Sequence, residues 1–219
     1  MRARTTLRWY ERAFVKFFDA MSKLAFGYSV PFSSEMVLSL GFGGIMQFGM
    51  MIPKVIGHMT KQYGPRDAQA LVGFSALWSG CTFCSVGYLY SSNLVHFRDT
   101  GKLPAIDEKL LISLQREKDS DVIARVDLLL AAPEYARLRG LVERQLALKS
   151  GTAEGATPDD DLLRASLVAW EWVSECSIVA ENVEIPPLTP IAKDHKLRER
   201  YLEARRSLAT PPTGQLSAT

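Results

Sequence analysis

Apolar residues recur at helical spacing along almost the whole chain, and no alternating run bounded by turn residues marks a strand or hairpin. The first such run holds Trp9, Phe14, Phe17 and Phe18, then Met21, Leu24 and Ala25. It is interleaved with Arg8, Arg12, Lys16 and Lys23. The spacing predicts a first helix whose apolar face docks on a core. A membrane-surface helix is the alternative, and Glu11 and Asp19 dilute the charge it needs. Residues 31–35 form a loop into the next helix, with Ser33 or Ser34 as its cap. Residues 36–53 carry no formal charge and have about the length of a membrane span. Gly41, Gly43, Gly44, Gly49, Gln47 and the Pro53-Lys54 step favour a buried, glycine-broken pair of helices instead.

Further along, residues 53–62 read as a short helix ended by Gly64-Pro65. The next helix runs to about Trp78 and is apolar on most sides, through Ala68, Ala70, Leu71, Val72, Phe74 and Leu77. A helix hydrophobic nearly all round belongs in a core, and a core helix needs covering, which implies a homo-oligomer. Ser79-Gly80 breaks it, and another helix starts at Cys81 and continues to about Arg98. Residues 99–104 are a loop, 106–115, 122–130 and 133–148 read as helices, and 150–160 as a polar linker. Residues 162–181 form a strong apolar helix, which Pro186-Pro187 and Pro190 follow. A charged, mostly solvated helix covers 193–208, and a disordered tail begins at Ala209. The expectation is an all-α protein with one helical domain over 1–208.

Composition narrows the function. The 219 residues carry a net charge of +2, and 47% are hydrophobic. A sizeable core can form, and no concentrated basic stripe argues for nucleic acid. Three cysteines are too few for a disulfide framework. Cys81 and Cys84 lie three residues apart and Cys176 stands alone, a usage that fits a reducing, cytoplasmic setting. No charged start, apolar run and small-residue cleavage site follow one another as in a secretory signal.

The chemistry centres on Ser79-Gly80-Cys81-Thr82-Phe83-Cys84. With Ser79 as N-cap, Cys81 falls in the first helical turn, where unpaired N–H groups and the macrodipole favour a thiolate and lower its pKa. Residues i and i+3 have Cβ atoms about 5–6 Å apart. A disulfide needs about 3.8 Å, so a small adjustment closes the bond, as a redox pair requires. Tyr88 extends the face one turn beyond Cys84, where it is either a core tyrosine or a hydrogen-bond donor to a thiolate. Cys84 is expected to be the cysteine that Tyr88 touches, and Cys81 the more exposed. A zinc site needs four ligands, and Cys176, His58, His96 and His195 show no paired spacing. His96 lies roughly 18 Å along a straight helix from Cys84. The remaining reading is that both cysteines are merely small buried residues.

The 66–116 stretch resembles the alkylhydroperoxidase D / carboxymuconolactone decarboxylase family. The likeness rests on the apolar helix 68–77, the Ser79-Gly80-Cys81-x-x-Cys84 turn and the following Gly101-x-Leu-Pro-x-Ile-Asp-Glu-Lys-Leu-Leu111. The helix 162–181 matches a later helix of that family, giving a family-like core at about 66–183 and an N-terminal extension at 1–64. The resemblance implies an oligomeric all-helical bundle whose redox members use Glu, eleven residues, Cys-x-x-Cys, three residues, His. In them a dithiol cycles with a disulfide to reduce peroxides or a partner peroxidase, and the Glu and His relay protons. On this chain the Glu position falls on Gln69 and the His position on Tyr88, so both relay groups are altered. Asp67 is turned about 200° away round its helix, and His58 is a candidate replacement from the preceding helix. The expectation is a thiol-dependent oxidoreductase with Cys81, Cys84, Tyr88 and Gln69 at its site. It would use an external thiol reductant or a partner peroxidase, with no organic cofactor, no metal, no nucleic acid and no membrane. A non-enzymatic binding or assembly protein and a membrane-associated helical protein are the alternatives.

Overall fold

A computed structural model describes residues 6–114, 117–154, 157–173 and 184–209. Among these residues the secondary structure is helical, with no strand. The main helices are α1 (Trp9–Phe26), α2 (Ser33–Tyr63), α3 (Pro65–Trp78), α4 (Thr82–Thr100), α5 (Leu110–Ser113), α6 (Asp119–Leu129), α7 (Ala136–Lys149), α8 (Pro158–Glu171) and α9 (His195–Ala209). Short 3₁₀ turns lie at Pro133–Tyr135 and Pro190–Lys193. The expected all-α class is found. Ala209, expected to open a disordered tail, is instead the last residue of α9; Cys176, the end of the expected 162–181 helix and residues 210–219 fall outside the described residues.

The α3–α4 hairpin is the centre. Pro65 sits at the start of α3, where its missing N–H breaks no helical bond and its fixed φ suits the first turn. Gly80, at φ 78°, turns the chain back into α4, and Gly101, at φ 69°, ends α4 by donating its N–H to the Phe97 carbonyl at 2.9 Å. A Cβ on Gly73 would lie 3.1 Å from the Ser85 carbonyl oxygen and 3.2 Å from the Leu89 nitrogen, so α3 and α4 meet nearly backbone to backbone. Helices α2, α7 and α8 pack around α3, while α5 and α9 pack on α4. A buried polar tie holds α3, α7 and α8 together: Gln145 donates to the Ser75 hydroxyl at 2.8 Å, and the Ser75 and Ser166 hydroxyls are 2.8 Å apart.

The Ile185–Leu188 stretch crosses α4 at Gly87. The Leu188 N–H donates to the Gly87 carbonyl at 3.1 Å, and a Cβ at position 87 would collide with Leu188 Cγ. On the other side, Asn93 and the Tyr201 hydroxyl each donate to Glu108 Oε2 at 2.7 Å, which locks α9 to α4. The 193–208 helix is therefore less solvated than expected: Leu197 and Tyr201 are buried in a second apolar cluster with Tyr90, Leu94 and Phe97.

Several expectations need correction. Residues 53–62 are not a separate helix; α2 runs through Pro53, and its break is at Gly41, with φ 67° and ψ 173°. The expected glycine-broken pair thus exists, but it is not buried: only 17% of the most apolar 18-residue stretch of α2 is covered. The expected helix at 106–115 contracts to Leu110–Ser113. In α1 the large apolar face is not the docked one. Trp9 is 76% exposed and Leu24 71%, while Glu11 and Ser22 are buried. Periodicity fixes which residues share a face, not which face turns inward.

Candidate functional site

Cys81 is the N-cap of α4, two residues later than the expected cap at Ser79, which instead closes α3. The Cys81 N–H donates to the Ala76 carbonyl at 2.9 Å, and its own carbonyl accepts the first α4 bond, from the Ser85 N–H at 2.9 Å. Cys84 follows in the first turn. Both are free thiols and both are buried, Cys81 fully and Cys84 at 4% exposure. The expected ranking, with Cys81 the more exposed, is thereby reversed.

The two thiols lie three residues apart at the start of α4 and act on each other electrostatically. Burial, first, and the neighbouring Cys81, second, push the Cys84 thiol well above its ordinary range. At Cys84, in the first turn of α4, loss of water outweighs the N-terminal field of the helix.

Two tyrosines share the site. Tyr88 lies one turn along α4, and burial holds its phenol far above the usual tyrosine range, with Tyr28, Cys84 and Cys81 adding to the shift. Its ring packs edge-on against Trp170 of α8, with centroids 5.2 Å apart. Tyr28, in the α1–α2 connection, is likewise raised, first by burial and then by its proximity to Cys84. Four residues on, Phe32 packs edge-on against Phe83, which lies between the cysteines, at 5.4 Å. The α1–α2 connection therefore forms the cover over the dithiol. Tyr28 carried no local signal in the sequence: it sits 56 residues from Cys84 in an irregular turn, and only the packing of α2 on α3 brings the two together.

Gln69 lies on α3, four residues before Gly73. The antiparallel register sets Gly73 against Ser85 and Leu89, and the Arg66 carbonyl accepts from Ser92 at 2.9 Å. Gln69 lies between these two contacts, and its amide oxygen is buried without a hydrogen-bond partner among the described residues. His58 is exposed on α2 and does not replace the altered relay. No three His, Cys, Asp or Glu side chains converge as metal ligands among the described residues. A cavity of about 250 Å³ lies against α4 at Val86 and Tyr90, and neither cysteine lines it. No family model matches the chain, and no curated protein or solved structure matches it either.

Proposed function

We propose that the protein is a thiol–disulfide oxidoreductase whose working group is the Cys81–Cys84 pair, held reduced beneath the Tyr28–Phe32 cover. The observation that carries this reading is the placing of two free thiols three residues apart at the start of one helix. Cβ atoms at i and i+3 of a helix lie about 5–6 Å apart, so a small motion closes the bond. Because burial makes Cys84 hold its proton, Cys81 is assigned as the attacking sulfur and Cys84 as the resolving one.

With a disulfide substrate, the Cys81 thiolate attacks one sulfur, the S–S bond breaks, and one thiolate leaves and takes up a proton. Cys84 then loses its proton and attacks Cys81 Sγ, releasing the second thiol and leaving the Cys81–Cys84 disulfide. With a hydroperoxide, Cys81 attacks the distal oxygen, an alcohol leaves, and Cys84 condenses with the sulfenic acid to release water. Two electrons pass from the dithiol in either case, and an external thiol reductant restores it. Tyr88 and Tyr28 hold their protons and act as donors near the sulfurs, not as bases. The likeness of residues 66–116 to the alkylhydroperoxidase D-like bundle supports the same chemistry, with a proton relay that Gln69 and Tyr88 cannot run.

The full burial of both thiols favours one rival, a binding or assembly scaffold in which they only fill space. Equilibration in graded glutathione redox buffers followed by thiol alkylation separates the two. The redox reading expects a single two-electron transition that disappears in Cys81→Ser and in Cys84→Ser. Folded protein that keeps both thiols in every buffer, while unfolded protein oxidises, would establish the scaffold.

A further inference from the structure

The least expected surface of the molecule is the outer side of the α1–α2 hairpin. On α1, the exposed residues Trp9, Tyr10, Phe17, Met21 and Leu24 fall within about 120° of helix surface at ~100° per residue. The packed residues Glu11, Phe14, Val15, Phe18 and Ser22 occupy the arc behind them. Arg8, Arg12, Lys16 and Lys23 are all exposed and line one edge between the two arcs. On α2, Phe42, Met46 and Met50 repeat every fourth residue and are exposed. The Phe14 and Phe42 rings meet at 4.9 Å, which joins the two apolar stripes.

Charge selects what covers this face. Residues 1–63 hold eight Lys and Arg against three Asp and Glu, a net +5, and residues 64–219 hold eighteen against twenty-one, a net −3. The two acids of α1 are turned to internal duty. Glu11 is buried and accepts the Arg8 N–H at 2.7 Å, and Asp19 accepts the Ser33 hydroxyl at 2.6 Å. The remaining acid of the hairpin, Glu35, is exposed and precedes the Gly41 break, away from the Phe42–Met50 stripe. A second copy of this chain would bring the same cationic edge, Arg8, Arg12, Lys16 and Lys23, against the first, whereas an anionic surface meets both the apolar arc and that edge.

We propose that the outer face of α1 and of the 42–50 part of α2 is a docking surface for an anionic lipid bilayer. The helices lie in the interfacial plane, with Trp9, Phe17 and Leu24 entering the headgroup–acyl boundary and the cationic edge meeting lipid phosphates. This does not rest on the redox reading.

Full-length protein is sedimented with vesicles of phosphatidylcholine alone and of phosphatidylcholine mixed with phosphatidylglycerol, at low and high salt. Binding to the mixed vesicles that weakens in salt and on neutral vesicles is expected. Lys16→Gln/Lys23→Gln should weaken it by roughly fivefold per cation. Phe17→Asp/Leu24→Asp should abolish it with the thermal melt unchanged, since both side chains are exposed. Absence of binding to mixed vesicles, or binding that both variants leave intact, overturns the proposal. So does a dimer in sedimentation velocity that Phe17→Asp/Leu24→Asp splits, because the face is then covered by a second copy.

Discussion

In the α3–α4 hairpin, apolar side chains on nearly every face meet other helices: Leu71, Phe74, Leu89 and Leu94 are all buried. On the α1–α2 hairpin, side chains of the same size and spacing point outward, and Phe17 is 62% exposed. The difference lies in what each hairpin carries at its contacts. α3 and α4 approach through Gly73, and Gly87 admits the Ile185–Leu188 stretch, so each face of the pair is covered. α1 meets the rest of the molecule mainly through α2 and the Pro190–Lys193 turn, which leaves one long side of both helices open. Hydrophobicity alone therefore does not mean core, and the dithiol sits where the two regions join, roofed by the connection of the outer hairpin onto the inner one.

The largest effect is expected inside the inner hairpin. Leu71→Ala empties a fully buried site and should destabilise the fold by about 2–5 kcal/mol in urea denaturation. A loss below about 1 kcal/mol would mean that α3 is not a core helix. Next comes Gly87→Ala, whose Cβ would meet Leu188 and lie 2.8 Å from the Pro186 carbonyl oxygen. Overpacking there should cost about 1–3 kcal/mol and lower the melting temperature. An unchanged melt would mean that the Ile185–Leu188 stretch does not bear on α4.

The junction between the hairpins should show in alkaline pH. Above about pH 9, the ordinary thiol value, Cys84 ionises in the unfolded chain while the folded protein still binds that proton. The unfolded state then binds fewer protons, so stability falls as pH rises. Urea midpoints measured from neutral to alkaline pH should drop, and Cys84→Ala should flatten the first part of that drop, whatever its own effect at neutral pH. A slope identical in both proteins would contradict a buried, proton-holding Cys84. The smallest effect belongs to the outer hairpin: Phe17→Ser should change stability by no more than about 0.5 kcal/mol. A loss of more than about 2 kcal/mol would place Phe17 in a core and remove the contrast between the two regions.

Much of this arrangement is legible in the residues. The core character of 68–77, the Ser79-Gly80 break and the Cys-x-x-Cys at the start of the next helix all follow from local pattern and turn chemistry. The direction of the α1 face does not, because the same 3.6-residue period serves a helix docked inward and one facing outward. The burial of Cys81 and Cys84 is also illegible locally. Tyr28 comes near Cys84 and Phe32 packs on Phe83 only through the packing of α2 on α3. A helix start viewed alone suggests a lowered thiol pKa, and the cover reverses the sign for Cys84.

The most direct test of the dithiol is peptide mass mapping of the folded protein after mild hydrogen peroxide treatment, with alkylation of any remaining thiols. The account predicts that the peptide holding Cys81 and Cys84 loses two hydrogens, regains them with a dithiol reductant, and shows no such loss in Cys81→Ser or Cys84→Ser. Thiols that both stay reduced, or that oxidise one at a time without joining, would contradict a working Cys81–Cys84 pair.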